Sequence, residues 1–240
     1  MKDLKTRIKH QYEELDNPDF HGDILRRHLK YLRLLNRYVS FSSTLVDFVV
    51  SKAKILGFQK VKIVDIGCGG GDLLKDIATK MRKEKIPCEL VGIDLNQNCI
   101  DYARSFTEAY SEITYSHSNV RDESFEIPDC DILISYHFLD HLPDVEFARF
   151  LLKAQNSSAE SIVICETERS RISYYLFKLF GSLLFLPKDI MRDCLNAIER
   201  AFTVNELREL LDYNGIETYK IRPILGYHWI LDLNATQNSS

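Results

Sequence analysis

No stretch of this 240-residue chain reaches the ~18–20 uninterrupted apolar residues that a membrane-spanning helix needs. Met1 to Asn17 is mixed in charge and has no apolar core, so no secretory signal is expected. None of the six cysteines, at 68, 88, 99, 130, 165 and 194, forms a C-x-x-C pair, which removes zinc-ribbon and thioredoxin-like readings; no metal site is expected. Several lie in apolar runs, as Cys165 does in Ser161–Cys165. They read as free buried thiols of a reducing cytoplasm. A basic excess is also missing. The 31 Lys and Arg against 35 Asp and Glu leave a net charge of −4, which disfavours a dedicated nucleic-acid binder. Repeats and low-complexity tracts are absent apart from a polar tail after Asn234.

What is present suits a folded domain with a helical extension. The chain is 45% hydrophobic and 11% aromatic, and long enough to bury ~70–75% of its unfolded surface without disulfide or metal staples. Asp23 is placed to cap a helix with an apolar stripe at Ile24, Leu25, Leu29, Leu32, Leu35 and Tyr38. Its other face, Arg26 to Arg37, is basic and reads mainly as a solvated surface. A second helix over about Thr44–Leu56 ends at Gly57. Residues 1–57 are accordingly an N-terminal helical extension, expected to cap the site, and 58–240 form the main domain.

From Lys62 the pattern alternates. Strands are expected at 62–66, 89–94, 113–117, 130–135 and 161–165. Helices are expected between them at 73–82, 97–106 and 145–154. Such spacing implies right-handed βαβ units and a mostly parallel sheet. Thr203-Val-Asn-Glu206 is a capping box opening a helix to about Tyr213. Two closing strands, near 217–222 and 227–233, are too close for a helical crossover and should form an antiparallel hairpin, giving seven strands. A helical insertion is expected at about 167–202. Within it, Ile172–Leu186 is apolar on nearly all sides and lacks the basic polar face of an interfacial helix. It should therefore cover apolar surface of its own protein, of a partner subunit, or of a substrate.

The informative stretch is Asp65-Ile-Gly-Cys-Gly-Gly-Gly71, a strand running into glycines and then a helix. No Lys-Ser or Lys-Thr follows, so it is not a phosphate-binding P-loop. A dinucleotide fingerprint begun at Gly67 requires glycine at 72, where Asp72 would sit badly beside a pyrophosphate. A nucleoside ligand without phosphate is left.

With Gly92-Ile-Asp-Leu95, this loop resembles the first two motifs of the class I S-adenosylmethionine-dependent methyltransferases, over residues from about 60 to 235. The resemblance implies a Rossmann-like α/β fold, S-adenosylmethionine as cofactor, and enzymatic methyl transfer. It places Asp94 on the ribose hydroxyls, Gly67, Gly69 and Gly71 along the methionine part, and Asp65 near the ammonium end. Leu95 would lie against the adenine. Asn119, where relatives often carry Asp, and Val120 would meet the adenine edge, and Tyr136 would lie beside the sulfonium.

More narrowly, the chain is similar to small bacterial methyltransferases of polyketide and aromatic natural-product biosynthesis. The motifs are Leu15–Asp19, Leu32–Arg37, Phe138-Leu-Asp-His-Leu142, Arg169-Ser-Arg171 and Arg200–Thr203. The expected reaction is methylation of a small lipophilic or aromatic acceptor, phenolic oxygen favoured over ring carbon, in the cytoplasm. His141 is the favoured general base, with Asp140 or Glu168 to orient it; His137, Glu166 and Glu168 are further candidates. An RNA or protein methyltransferase is the alternative. Ser135-Tyr-His-Phe138 stands where RNA adenine and glutamine methyltransferases carry Asn/Asp-Pro-Pro-aromatic, which counts against it. A non-catalytic binding module is a second alternative, and a homodimer stays open.

Overall fold

Strands covered on both faces need apolar side chains at nearly every position, and the central strands of this protein have them. The computed structural model describes residues 4–8, 20–40, 42–224 and 227–234. The Leu15–Asp19 motif and the tail from 235 lie outside the described residues. Seven strands form one sheet: β1 (Val61–Ile66), β2 (Cys88–Asp94), β3 (Ile113–His117), β4 (Ile132–Tyr136), β5 (Ser161–Thr167), β6 (Tyr219–Ile224) and β7 (His228–Leu233). Their order is β3-β2-β1-β4-β5-β7-β6. β1 to β5 pair in parallel, and β7 runs antiparallel between β5 and β6, as the short β6–β7 connection requires. This is the α/β Rossmann-like architecture expected, with the antiparallel hairpin at its edge.

Eight helices are described: α1 (Gly22–Tyr38), α2 (Ser42–Leu56), α3 (Asp72–Glu84), α4 (Gln97–Phe106), α5 (Asp144–Gln155), α6 (Arg171–Leu183), α7 (Lys188–Arg200) and α8 (Val204–Tyr213). Alternation along the strands sorts the core into two layers. Val163 and Cys165 of β5 join α2, α3 and α4, while Ile162 and Ile164 join α5 and α8. Trp229 and Phe147 are the largest side chains sealed in this core. Truncating Phe147 to alanine costs ~3–5 kcal/mol.

Several local expectations need adjusting. Asp23 does not cap α1. The helix begins at Gly22 with His21 as a cap that makes no side-chain bond, and Asp23 sits exposed in the first turn, 4.0 Å from Arg26. The capping box is as expected, with Thr203 and Glu206 reciprocally bonded at the start of α8. Ile172–Leu186 is not one helix: α6 stops at Leu183, a turn follows, and Pro187 leads into a separate helix, α7. All six cysteines are free.

The chain lays down β1, β2 and β3 in one direction, then returns to place β4 beside β1 on the other side. The crevice at this switch, at the carboxyl ends of β1, β2 and β4, is where an open parallel sheet receives ligands.

Candidate functional site

Gly69 has φ +49° and Gly71 φ +74°, backbone that a side chain strains, so the turn from β1 into α3 depends on glycine at both. Their surroundings differ. A Cβ on Gly71 would lie 2.3 Å from the Tyr115 hydroxyl, and one on Gly67 2.3 Å from the Phe138 ring, whereas nothing stands within 4 Å of one on Gly69. Gly67 and Gly71 thus fit the loop to its neighbours, and Gly69 meets open space. The Gly69 N–H donates to Asp94 Oδ2 (2.8 Å) and the Asn96 N–H to Asp94 Oδ1 (2.9 Å), which ties the end of β2 to the loop.

Two more carboxylates lie under the turn. Asp65 is buried, and its Oδ1 has no hydrogen-bond partner. Burial, reinforced by Asp72 and Asp94, pushes its pKa well above the ordinary carboxylate value. Asp72, at the start of α3, is also raised by burial, while Asn36 of α1 donates to its Oδ2 (3.0 Å) and opposes the shift. An unpartnered buried acceptor of this kind invites a cationic ligand.

A cavity of about 1040 Å³ extends from this loop to the helices above the sheet. That is the top of the ~300–1,000 Å³ range of single small-ligand sites, which gives room for two ligands side by side. Asp65, Gly67, Gly69, Asp94, Leu95, Asn119, Val120 and Tyr136 all line it, as do His137 and His141; Gly71 and Glu168 do not. Leu95 is half exposed, with its carbonyl accepting from His117 Nε2 (2.7 Å). The Asn119 amide is engaged in its own loop, donating to Asp122 (2.8 Å) and accepting from the Arg121 N–H (3.0 Å). Tyr136 is buried, its hydroxyl facing Ser40 without completing a hydrogen bond, and desolvation raises its pKa.

After β4 the chain passes through His137, whose φ of +52° is rare for a residue with a side chain, and enters a short 3₁₀ turn, Leu139–His141. Glu166, at the end of β5, holds this segment. Its Oε1 accepts from the Phe138 N–H (3.0 Å) and the Leu139 N–H (2.8 Å), and burial raises its pKa. The Glu166 Oε2 lies 3.8 Å from His137 Nδ1, while the His137 Nε2 is buried without a partner. His228 packs edge-on against His137 at 5.2 Å, and burial, with His137 adding, lowers its pKa well below the ordinary value.

His141 is built differently. Its Nε2 lies 3.7 Å from Asp140 Oδ1, and the other carboxylate oxygen of Asp140 faces the Arg200 guanidinium at 3.4 Å. Asp140 and Arg200 are both buried. The wall formed by the helices is largely apolar, with Leu32 and Leu35 of α1, Leu176, Phe177 and Phe180 of α6 and Ile198 of α7, although the buried Asp193 and Arg200 of α7 also line it.

Residues 63–158 match the family described as Methyltransferase domain. The chain is 28% identical over 177 residues to the ubiquinone biosynthesis O-methyltransferase of Vibrio vulnificus (strain YJ016), covering 71% of this chain and 69% of the relative. It is 26% identical over 190 residues to the enzyme of the same name from Aliivibrio fischeri (strain MJ11), covering 77% and 74%. The chain thus carries a methyltransferase domain over residues 63–158, and its matches to named methyltransferases support S-adenosylmethionine as the cofactor. The plantazolicin methyltransferase BpumL, solved with a pentazolic desmethylPZN analogue and SAH, shares the methyltransferase fold (TM-score 0.67, 17% identity, 93% of each chain). So does magnesium protoporphyrin IX methyltransferase of Synechocystis PCC 6803 with bound SAH (TM-score 0.54, 17% identity, 80% and 81%).

Some of this methyltransferase's cavity was not legible in the sequence. Asn36, Tyr227 and the α7 residues reach it from far along the chain. The Tyr227 hydroxyl donates to the Val39 carbonyl (2.9 Å), fastening the end of α1 beside the β6–β7 turn. Only α7 had a usable signal: Pro187 followed by Ile190, Cys194, Ala197 and Ile198 at helical spacing.

Proposed function

We propose that this methyltransferase transfers a methyl group to a small lipophilic aromatic acceptor, with a phenolic oxygen favoured over a ring carbon. One observation carries the reading: a single cavity is lined by both the polar glycine loop and apolar side chains of α1, α6 and α7, and His141 lines it too. When bound, S-adenosylmethionine supplies an electrophilic methyl group on a sulfonium. The residues present fit this cofactor. Asp65 offers an orphaned buried oxygen to its ammonium, Gly69 leaves open space along the loop, and Asp94 is already fixed in place for the ribose hydroxyls. Gly67 and Gly71 shape that loop, Tyr136 borders the sulfonium, and Leu95 and Val120 flank the adenine. With the Asn119 amide occupied, backbone groups near Val120 carry that edge.

His141 takes the phenolic proton, and Asp140, steadied by Arg200, orients its imidazole. Among the other candidates, His137 lines the cavity but points one nitrogen at Glu166 and has the other buried, and Glu168 lies outside the cavity, so His141 is the favoured base. The extension over 1–57 closes the cavity through α1, and the insertion over about 167–202 supplies the facing wall. The printed function of the Vibrio and Aliivibrio relatives, O-methylation in ubiquinone biosynthesis, supports an oxygen acceptor in small-molecule biosynthesis; a place in the cytoplasm and in natural-product pathways is part of the same proposal. The test is incubation with methyl-labelled cofactor and panels of phenols, quinols, fatty acyl compounds and RNA. Label in lipophilic phenols or quinols supports the proposal, and label confined to RNA or to polar acceptors refutes it.

A further inference from the structure

The segment after β5 does not pack as a plain core helix. Seven large apolar side chains between Ile172 and Phe185 are exposed, and of α6 itself only Ser173 and Gly181 are buried. α6 is two-sided: Leu176 and Phe177 line the cavity, while Ile172, Tyr175, Leu179 and Leu183 form a stripe facing outward at i, i+3, i+7 and i+11. Phe180 belongs to both sides, lining the cavity and standing 40% exposed, so the cavity opens beside it.

The turn after α6 is more unusual. The Leu186 N–H donates to the Gly181 carbonyl (3.0 Å) and the Phe185 N–H to the Ser182 carbonyl (3.2 Å), the bonding of a helix stop whose left-handed residue is normally glycine. Here that residue is Phe185, at φ +51° and 90% exposed. A bulky aromatic held at a glycine position and aimed into solvent gains nothing from the fold around it. Strain retained in this way points to a function.

The strip itself carries charge of one sign, although Asp189 follows directly after it. Arg171 to Lys188 contains Arg171, Lys178 and Lys188 and no acidic residue, in a chain whose net charge is −4. All three bases are exposed. α1 extends the rim: Arg27 meets Asp189 just beyond the turn (3.3 Å), and Tyr31 packs with Phe177 and Leu186. Leu34 and Tyr38 continue that side of α1 and are exposed, with Lys30 and Arg37 exposed beside them. The sequence expectation that this segment lacks a basic polar face needs adjusting: Lys178 stands within it, Arg171 and Lys188 at its ends, and Lys30 and Arg37 on α1.

We infer that this face of α6, with Phe185 at its tip, docks on an anionic lipid bilayer surface and presents the cavity mouth at Phe180 to lipid-dissolved acceptors. An apolar strip rimmed by bases is what such a surface binds. A symmetric second copy is a poorer occupant, because a two-fold contact would set Lys178 and its neighbouring bases against themselves with no acid in the strip to pair them. The inference rests on the proposed lipophilic acceptor for its purpose, but not for its test.

The test is co-sedimentation with phosphatidylcholine vesicles, with and without phosphatidylglycerol. Wild type should bind only the anionic vesicles, and less at high salt. Lys178→Glu should weaken binding by about fivefold or more. The pair Leu184→Ser and Phe185→Ser should weaken it by about tenfold or more. Neither residue of the pair lines the cavity, so cofactor affinity and Tm should stay at wild-type values. Failure of wild type to bind anionic vesicles, or full binding by the double variant, would overturn the inference. So would a wild-type dimer in sedimentation velocity that the double variant dissociates, since the patch would then be a contact between copies. Vesicle binding without methylation of any phenol would leave this surface standing and remove the proposed acceptor. Phenol methylation by an enzyme that ignores vesicles would do the reverse.

Discussion

The two ends of the cavity are built on opposite principles. At the glycine loop, the ligand-facing groups come from short contiguous stretches at the ends of β1 and β2, and Asp94 is locked there by the N–H groups of Gly69 and Asn96. At the apolar end, α1 meets the α6–α7 pair, which lies more than a hundred residues further along the chain, and the two sides meet through side chains such as Tyr31, Phe177 and Leu186. The first arrangement fixes a constant ligand. The second can change its ligand by side-chain substitution without disturbing the sheet.

The largest expected effect lies between the two ends. His141→Ala should lower turnover ~10²–10⁴-fold while leaving cofactor affinity intact, measured by steady-state kinetics and calorimetry. A loss below about threefold, less than ~1 kcal/mol, would remove the base from the comparison. Next, Asp94→Ala should weaken cofactor binding by ~1.5–3 kcal/mol for each charge-assisted bond lost, without raising the KM of the acceptor beyond that coupling. At the other end, Phe177→Ser should do the opposite. Acceptor KM should rise on the order of tenfold, cofactor affinity should hold, and Tm should fall less than in Phe147→Ala.

A smaller effect separates sheet from cavity. In the window between the depressed folded pKa of His228 and its ordinary 6.5, the unfolded chain binds more protons than the folded one. Stability should therefore rise with pH across that window and be lost as pH falls below 6.5, by at most ~1.4 kcal/mol per pH unit. His228→Phe should flatten that slope in thermal melts. Smallest of all, Glu168→Gln should change turnover less than about threefold, because Glu168 lies outside the cavity.

The same contrast explains what the sequence made legible. The seven strands, the hairpin and the loop ending in Gly71 follow from local periodicity and glycine chemistry, and the structure holds them nearly where they were expected. Helix ends were less legible. Asp23 looks like a cap, but His21 and Gly22 start α1, because tertiary packing of Leu25 and Leu29 against Cys99 and Tyr102 sets where the helix lies. The apolar run Ile172–Leu186 could not show which side would face the cavity, since a stripe that is apolar all round has no phase. Asn36 on Asp72 and Tyr227 on Val39 were out of reach because nothing local announces a contact across the molecule.

The most direct test is a crystal structure with S-adenosylhomocysteine. It should place both ribose hydroxyls on Asp94, an amino group on the now unpartnered Asp65 Oδ1, and the sulfur toward Tyr136 and His141, with the apolar end of the cavity left clear for the acceptor. A nucleoside bound among α1, α6 and α7, or an Asp65 still without a partner, would contradict the assignment of the two ends.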